Sequence, residues 1–308
     1  MTKIFIDGSA GTTGLRIYER LESRKDIELI RLSEENRKDI NARKAALNQA
    51  DIAFLCLPDS AAIEAVSLVE NDNTVIIDTS TAHRTNPDWA YGFPELSEER
   101  EEKLAVSKRI AVPGCHASGF ISLVFPLIKA GILDKNALLT CFSVTGYSGG
   151  GKKMIAEYES EDRDPLLSAP RQYGIAQTHK HLPEMTAVCG LDNSPAFSPI
   201  VADFYSGMTV TVPLFRSQIN GTAEDIKKVY KEKYNGSVVR YKEEFDECGF
   251  VSANKFTGKD SMEISVSGNE ERILLISRYD NLGKGASGAA VECMNIVLGV
   301  DKTTGLEL

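Results

Sequence analysis

Cys115 is the residue best placed to do covalent chemistry. It follows a short apolar run, Ile110 to Val112, that reads as a buried strand closed by Pro113-Gly114, and it precedes an apolar segment, Phe120 to Ile132, that reads mostly as a helix. A cysteine at a helix N-terminus lies in the positive end of the dipole, beside free backbone N–H groups, and both favour thiolate over thiol. A buried structural cysteine is the commoner fate of the residue taken alone. The order strand, Pro-Gly, cysteine, helix favours a nucleophile. The other chemical stretch is Thr178-His179-Lys180-His181-Leu182-Pro183-Glu184, which holds two of the four histidines. Two residues apart in an extended segment, they point to opposite sides, so one faces Cys115 for acid–base work while the other acts elsewhere. A metal pair is disfavoured because there is no third ligand cluster, and no metal is expected. His116 is expected to point away along the helix and is not assigned as the base.

A nucleophile needs elements to position it and a partner for its chemistry. Lys3 to Asp7 is a short β-branched and aromatic run. Gly8-Ser9-Ala10-Gly11-Thr12-Thr13-Gly14 follows, and then a segment with Leu15, Tyr18 and Leu21 at helical spacing. The glycines are spaced G-x-x-G-x-x-G. They let the backbone approach a pyrophosphate, and the helix N-terminus receives its charge. An ordinary tight turn is the plainer reading, and three glycines with Thr12 and Thr13 favour the cofactor. The second strand, Ile27 to Arg31, lacks the acidic residue at its end that holds an NAD ribose. Arg31-Leu32-Ser33 stands there instead, and a cation with a hydroxyl suits the 2′-phosphate of NADP. Asp51 to Leu57 is a third, nearly all-apolar strand, with Pro58 opening the next helix. Thr74 to Asp78 is a fourth and Ile110 to Val112 a fifth.

Strands alternating with helices predict an α/β, doubly wound Rossmann sheet with ligands beyond its carboxyl ends. That places the Gly8 loop, Leu57-Pro58, Ser80 to Arg84 and Cys115 on one rim. In Asp78-Thr79-Ser80-Thr81-Ala82-His83-Arg84, Ser80 and Arg84 are candidates for a phosphate, Arg84 as a bidentate fork; a structural carboxylate partner for Arg84 is the equal alternative. From Lys135 the texture changes. Asn136 to Thr145 reads as a long strand, followed by Gly146 to Lys152, with Ser148 and Gly149, and then by long loops to Pro199. Met208 to Arg216 alternates as a strand. Gly221-Thr222 caps a helix with Ile226, Val229, Tyr230 and Tyr234 on one face, and Met262 to Val266 pairs with Ile273 to Ile276 as a hairpin. This is an α+β domain with a largely antiparallel sheet. Asn281-Leu282-Gly283-Lys284-Gly285-Ala286-Ser287-Gly288 leads into a last helix, and its glycines suit a cofactor or a flexible re-entry to the first domain. The expected domains are 1–113 with 283–308, binding NADP, and 114–282, for catalysis and oligomerisation.

Bulk properties narrow the class. A chain of 308 residues with 42% apolar content supports two cores. A net charge of −9 argues against nucleic acid or an anionic membrane as the main partner. The six cysteines are scattered and suit reduced thiols in a cytoplasm. Met1-Thr2-Lys3 runs at once into a strand, so no signal peptide is expected.

A nicotinamide site plus a nucleophilic cysteine implies attack on an acyl group or aldehyde and hydride transfer at the carbonyl carbon. The segments Lys3 to Leu15, Asp78 to Arg84, Val112 to Phe120, Thr145 to Lys152, Thr178 to Glu184 and Asn281 to Asn295 resemble the shorter form of the N-acetyl-gamma-glutamyl-phosphate reductases, within a superfamily that includes aspartate-semialdehyde dehydrogenase and glyceraldehyde-3-phosphate dehydrogenase. The resemblance implies NADPH-dependent reduction of N-acetyl-glutamyl 5-phosphate in arginine biosynthesis by a cytoplasmic homodimer or homotetramer, joined through the second domain's sheet. Carried over by motif, Cys115 is the nucleophile, His181 the acid–base group and His179 a substrate contact. Arg84 and Ser80 hold phosphate, and Ser148 and Gly149 belong to the loop beside the cysteine. Gly8, Ala10, Gly11, Thr12, Thr13 and Gly14 take the pyrophosphate, and Asn281 with Gly283, Lys284 and Gly285 the nicotinamide end. Ser118 stands where the family often has threonine, and keeps the hydroxyl. The competing readings are the same chemistry on N-acetyl-aminoadipyl or aspartyl phosphate, and a non-catalytic NADP sensor.

Overall fold

The computed structural model describes residues 1–308. The chain forms two compact units, Met1–Gly114 with Ala286–Leu306, and Cys115–Gly285 with Glu307–Leu308.

The first unit runs β1 (Thr2–Asp7), α1 (Thr12–Leu21), β2 (Ile27–Ile30), α2 (Ile40–Gln49), β3 (Ile52–Leu55), α3 (Asp59–Ser67), β4 (Val75–Asp78), β5 (Ala90–Tyr91), α4 (Glu98–Val106) and β6 (Arg109–Ala111). Its six strands lie in the order β2-β1-β3-β4-β6-β5, all parallel. The winding reverses between β1 and β3, so the loops after these two strands flank the crevice where such sheets bind ligands. Successive residues supply opposite faces. Ile4, Ile6, Ile52, Phe54, Val75 and Ile77 pack one core, while Phe5, Ala53, Leu55 and Ile76 pack the other. Both faces are covered, which is why the strands read as unbroken apolar runs.

Two expectations are corrected here. The inward stripe of α1 is Gly14, Ile17 and Leu21, and Leu15 is 48% exposed. A Cβ on Gly14 would lie 2.4 Å from the Gly8 carbonyl oxygen, so this glycine must face the loop, and that orientation turns Leu15 outward. The sheet also has a strand the pattern did not reveal, because β5 is only two residues long.

The second unit contains α5 (Cys115–Lys129), β7 (Thr140–Gly146), α6 (Gly151–Glu159), β8 (Arg171–Gln172), α7 (Leu182–Cys189), β9 (Ala196–Ala202), β10 (Met208–Phe215), α8 (Ala223–Lys233), β11 (Val239–Tyr241), β12 (Met262–Gly268) and β13 (Arg272–Tyr279). The sheet order is β11-β12-β13-β10-β7-β9-β8, with β11/β12 and β7/β9 parallel and the other pairs antiparallel. The stretch up to Pro199, expected as loops, holds α6, α7 and the start of β9. Gly151 opens α6, and Pro183 lies in the first turn of α7, where its missing N–H costs nothing. After a π-helical turn at Gly283–Ser287, α9 (Gly288–Leu298) returns to the first unit's core.

Helix α5 is buried nearly all round and carries Pro126 inside it. The proline cannot donate to the Ser122 carbonyl four residues back. The Tyr234 hydroxyl donates to that carbonyl at 2.7 Å, and the Tyr230 hydroxyl serves its neighbour on Leu123. A capping box at Thr222 and Asp225 starts α8, which carries both tyrosines on or just beyond its last turns.

Candidate active site

In the second unit, Cys115 is the first residue of α5 and is half-buried. Its carbonyl accepts from the Tyr279 hydroxyl at 2.6 Å. Gly119 allows this, since a Cβ there would meet the Tyr279 hydroxyl oxygen at 2.5 Å. Gly285 lies behind the cysteine, where a Cβ would be 3.1 Å from that of Cys115.

Three histidines converge. The His116 ring centroid is 5.6 Å from those of both His179 and His181, which are themselves 4.7 Å apart. The expected divergence of His179 and His181 fails because the segment is a turn, not a strand. His181 has helical backbone angles, φ −87° and ψ −11°, as the N-cap of α7. Its N–H donates to His179 Nδ1 at 3.2 Å, which leaves the His179 proton on Nε2 in the neutral ring. Burial, reinforced by the charge of Lys180, holds His179 below the usual histidine range. His181 is 5% exposed, whereas His179 is only partly buried. Exposure therefore favours His179 over His181 as the imidazole that meets substrate.

His116, expected from helix geometry to point away, lies at the centre of this cluster. Its Nδ1 is 2.6 Å from Ser143 Oγ and its Nε2 2.7 Å from the Tyr173 hydroxyl. Burial, helped by His179, lowers it to about 3. Burial, with the nearby Cys115 thiol as the lesser cause, raises the Tyr173 phenol. Neither Tyr173 nor Ser143 carried a motif that would have singled it out. The only signal for His116 was its adjacency to Cys115.

Ser148 is buried and accepts from Asn281 Nδ2 at 3.0 Å, while Asn281 Oδ1 accepts from the Gly207 N–H at 2.8 Å. Gly149 beside it is exposed. Asp280 organises the following turn, accepting through its side chain from Ser206, Gly258 and Leu282. The glycines expected at a nicotinamide are also demanded by packing, since a Cβ on Gly283 would lie 1.9 Å from the Lys259 carbonyl oxygen. Lys284 is 1% exposed, so its ammonium points into protein instead of offering itself at a surface.

In the first unit the glycine loop crosses the end of β1. Gly8 has φ +88°, and a Cβ there would lie 2.3 Å from the Cys56 carbonyl oxygen, so only glycine lets the turn lie against β3 beside Leu57. Ala10 and Pro58 are exposed and Gly11 to Thr13 partly so. Leu15 is the first residue of α1 to donate back into the helix, to Gly11, leaving the amides of Thr12, Thr13 and Gly14 without intrahelical acceptors. Thr12 Oγ1 is buried with no hydrogen-bond partner. Open amides and an orphaned hydroxyl at a helix start fit a pyrophosphate. At the end of β2 the exposed Arg31 guanidinium lies 4.9 Å over the Tyr18 ring, and Ser33 is exposed nearby, which fits a 2′-phosphate. Under the loop, Asp7 accepts from Arg43 Nε at 3.0 Å, a buried pair the sequence did not suggest.

Ser80 and Arg84 are turned inward. Ser80 Oγ donates to Asp78 Oδ2 at 2.7 Å. Arg84 donates through Nε to the Val112 carbonyl and through Nη2 to that of Thr79, both at 2.8 Å. Asp78 Oδ2 also meets His83 Nδ1 at 2.7 Å, and the His83 ring stacks on Trp89 at 3.9 Å. In this structure Arg84 ties the ends of β4 and β6 together, three residues before Cys115.

Known proteins match this arrangement. A family model for the semialdehyde dehydrogenase NAD binding domain matches residues 3–104, and one for the semialdehyde dehydrogenase dimerisation domain matches 115–281. N-acetyl-gamma-glutamyl-phosphate reductase from Brucella ovis is 46% identical over 306 residues, covering 96% of this chain and 99% of its own, and that of Brucella suis is 47% identical over 307, with the same coverage. A crystal structure of aspartate semialdehyde dehydrogenase II from Vibrio cholerae, complexed with ASA, superposes with a TM-score of 0.72 at 17% identity over 97% of this chain and 98% of that one, which speaks for the fold. Sequence likeness over nearly the whole length, on a shared two-part architecture, makes the chain a member of the N-acetyl-gamma-glutamyl-phosphate reductases of the semialdehyde dehydrogenase family.

Proposed function

We propose that the protein reduces N-acetyl-glutamyl 5-phosphate to N-acetyl-glutamate 5-semialdehyde, releasing phosphate, with Cys115 as nucleophile and NADPH as reductant, as a step of arginine biosynthesis. The observation that carries the reading is the half-buried cysteine at the start of α5, in one unit with a cluster of three histidines and a tyrosine. The Cys115 sulfur attacks the acyl carbon, and backbone N–H groups in the first turn of α5 hold the oxyanion. Phosphate departs and a thioester remains on Cys115. When bound, NADPH supplies the hydride. As the aldehyde is freed, His179, with its proton on Nε2, protonates the departing sulfur; His181 fixes the ring of His179 through its backbone N–H. Arg84, the sequence candidate for phosphate, serves this scheme by securing the backbone that leads to Cys115. The Arg31 platform favours NADP over NAD.

No helix is long and apolar enough to cross a membrane, and a cytoplasmic protein fits that fact. On the second sheet Thr209, Thr211, Pro213 and Phe215 alternate away from the core of β10, beside Phe142 and Leu274 on β7 and β13. Phe142, Phe215 and Leu274 are 48, 62 and 37% exposed. This apolar face is the surface we assign to homo-oligomerisation.

Incubation with the acyl phosphate alone, without nucleotide, tests the reading. Intact-mass analysis should show an N-acetyl-glutamyl adduct that disappears in Cys115→Ala. An adduct that survives the substitution would remove Cys115 from the scheme.

A further inference from the structure

Three tyrosine hydroxyls donate to backbone carbonyls of α5, and one of them does so where the helix has its own donor. Tyr234 serves the Ser122 carbonyl, which Pro126 leaves without an N–H, and Tyr230 serves Leu123 beside it. Tyr279 donates to the Cys115 carbonyl at 2.6 Å. Four residues on stands Gly119, which has the N–H that a helical carbonyl takes. The Tyr279 bond is nonetheless built into the packing. A Cβ on Gly119 would lie 2.5 Å from the Tyr279 hydroxyl oxygen and 2.5 Å from Val210 Cγ2, so the phenol uses the space a side chain would fill. Tyr279 is fully buried on β13, paired with Met208 of β10 on one side and Met262 of β12 on the other. Its neighbour Arg278 pins the other face of the strand through ion pairs to Glu247 and Glu263. A buried phenol needs an acceptor, and the Cys115 carbonyl meets that need. The choice of this carbonyl has a chemical consequence.

The carbonyl of Cys115 and the N–H of His116 belong to one planar peptide unit. A helix points its carbonyls toward its C-terminus and its N–H groups toward its N-terminus, so holding this carbonyl aims the N–H back past Cys115. His116 is the second residue of α5, and its N–H has no acceptor within the helix. A peptide whose carbonyl accepts an extra hydrogen bond is also polarised, which makes its N–H the stronger donor.

We propose that Tyr279 is a positioning residue for the oxyanion: by binding the Cys115 carbonyl it fixes and polarises the Cys115–His116 peptide, so that the His116 N–H meets the oxygen that turns negative when the Cys115 sulfur adds to the acyl carbon. In that step the S–C bond forms and the carbonyl π pair moves onto oxygen. When the carbonyl re-forms, phosphate leaves with the pair of the C–O bond. Tyr279 makes and breaks no bond in this sequence, and it keeps its proton because burial raises the phenol. The inference rests on the reading of Cys115 as the nucleophile.

Two reactions of the same sulfur separate this role from a merely structural one. Acylation by N-acetyl-glutamyl 5-phosphate passes through an oxyanion. Alkylation by iodoacetamide displaces iodide at a saturated carbon and forms none. Both are followed by quenched intact-mass analysis of the full-length protein without nucleotide, with Cys115→Ala subtracting the other thiols. The pH is set above the alkylation midpoint of Cys115, where the sulfur is already thiolate in every variant. Tyr279→Phe should slow acylation about tenfold, less than the roughly hundredfold or more that loss of a whole oxyanion donor costs, and should leave the alkylation rate unchanged. 3-Fluorotyrosine at position 279 is a more acidic phenol, and so a stronger donor, in nearly the same volume. It should raise the ratio of acylation to alkylation by up to about twofold. Unchanged acylation in Tyr279→Phe overturns the proposal. So do acylation and alkylation slowed by the same factor, since Tyr279 would then only support the fold around the cysteine. If Tyr279→Phe does not fold, the fluorotyrosine protein decides alone, and an unchanged or lower ratio there overturns the proposal. An acyl adduct that still forms in Cys115→Ala is a separate failure, which removes the nucleophile and the reading beneath the inference.

Discussion

The glycine loop of the first unit and the histidine cluster of the second are built from opposite materials. The loop is made of backbone. Gly8 and Gly14 are glycines because a carbonyl lies where a Cβ would be, and the turn they make leads to a helix start whose first amides lack intrahelical acceptors and whose Thr12 hydroxyl is buried without a partner. The cluster is made of side chains brought together from α5, β7, the end of β8 and the turn before α7, with His116 and His181 buried. A backbone site recognises the one group that every dinucleotide carries, and needs only local geometry. A site for acid–base work needs dry rings with settled tautomers, and only tertiary packing provides those.

If this division is right, substitutions should separate by what they damage. The largest effect belongs to the cluster. His179→Gln should lower kcat by about a hundredfold or more, within the usual range for a lost general acid, with little change in KM for NADPH. His181→Gln should cost less, because its backbone N–H is retained, and steady-state kinetics of the two variants would rank them. Next comes the loop. Gly8→Ala places a Cβ 2.3 Å from the Cys56 carbonyl oxygen at φ +88°, and should destabilise the first unit by about 1–3 kcal/mol and weaken NADPH binding, measured by thermal unfolding and by fluorescence titration. Cys115 should still alkylate at its normal rate in that variant if the two sites are as independent as their construction suggests. Smaller again, Arg31→Ala should raise KM for NADPH about tenfold, the equivalent of roughly 1.4 kcal/mol, and leave KM for NADH unchanged.

This contrast also decides what was legible in advance. The glycine loop could be read because its ligand chemistry follows from residues within one strand–turn–helix unit. The parallel order of the first sheet followed from the alternation of apolar strands with helices. The place of Cys115 at the start of a helix followed for the same local reason. The cluster was not. His179 and His181 could be named, but their convergence depends on a helical turn at His181 that no periodicity announces. His116 was dismissed because helix geometry says where a side chain leaves the axis, not what folds over it. The type and loop of Arg84 suit a phosphate fork and a structural partner equally, and only the structure shows its donors on the carbonyls of Thr79 and Val112.

A further predicted effect concerns the pH dependence of stability. The unfolded chain protonates His116 near pH 6.5, whereas in the folded protein burial lowers it to about 3. Its neutral form is therefore fully compatible with the fold above pH 6.5, and stability is lost progressively as pH falls from there toward 3. One proton corresponds to a slope of about 1.4 kcal/mol per pH unit. His116→Gln should flatten the acid limb of a denaturation-versus-pH curve by that amount. An identical slope in both proteins would mean that position 116 does not stay neutral.

The most direct test of the central claim is the reverse reaction. N-acetyl-glutamate 5-semialdehyde and NADP+ are mixed with and without inorganic phosphate, and nicotinamide absorbance is followed for the native protein and for Cys115→Ala. Phosphate-dependent NADP+ reduction that is lost in the variant is the predicted result. Reduction that persists without Cys115, or a folded native protein that gives none, would contradict the account.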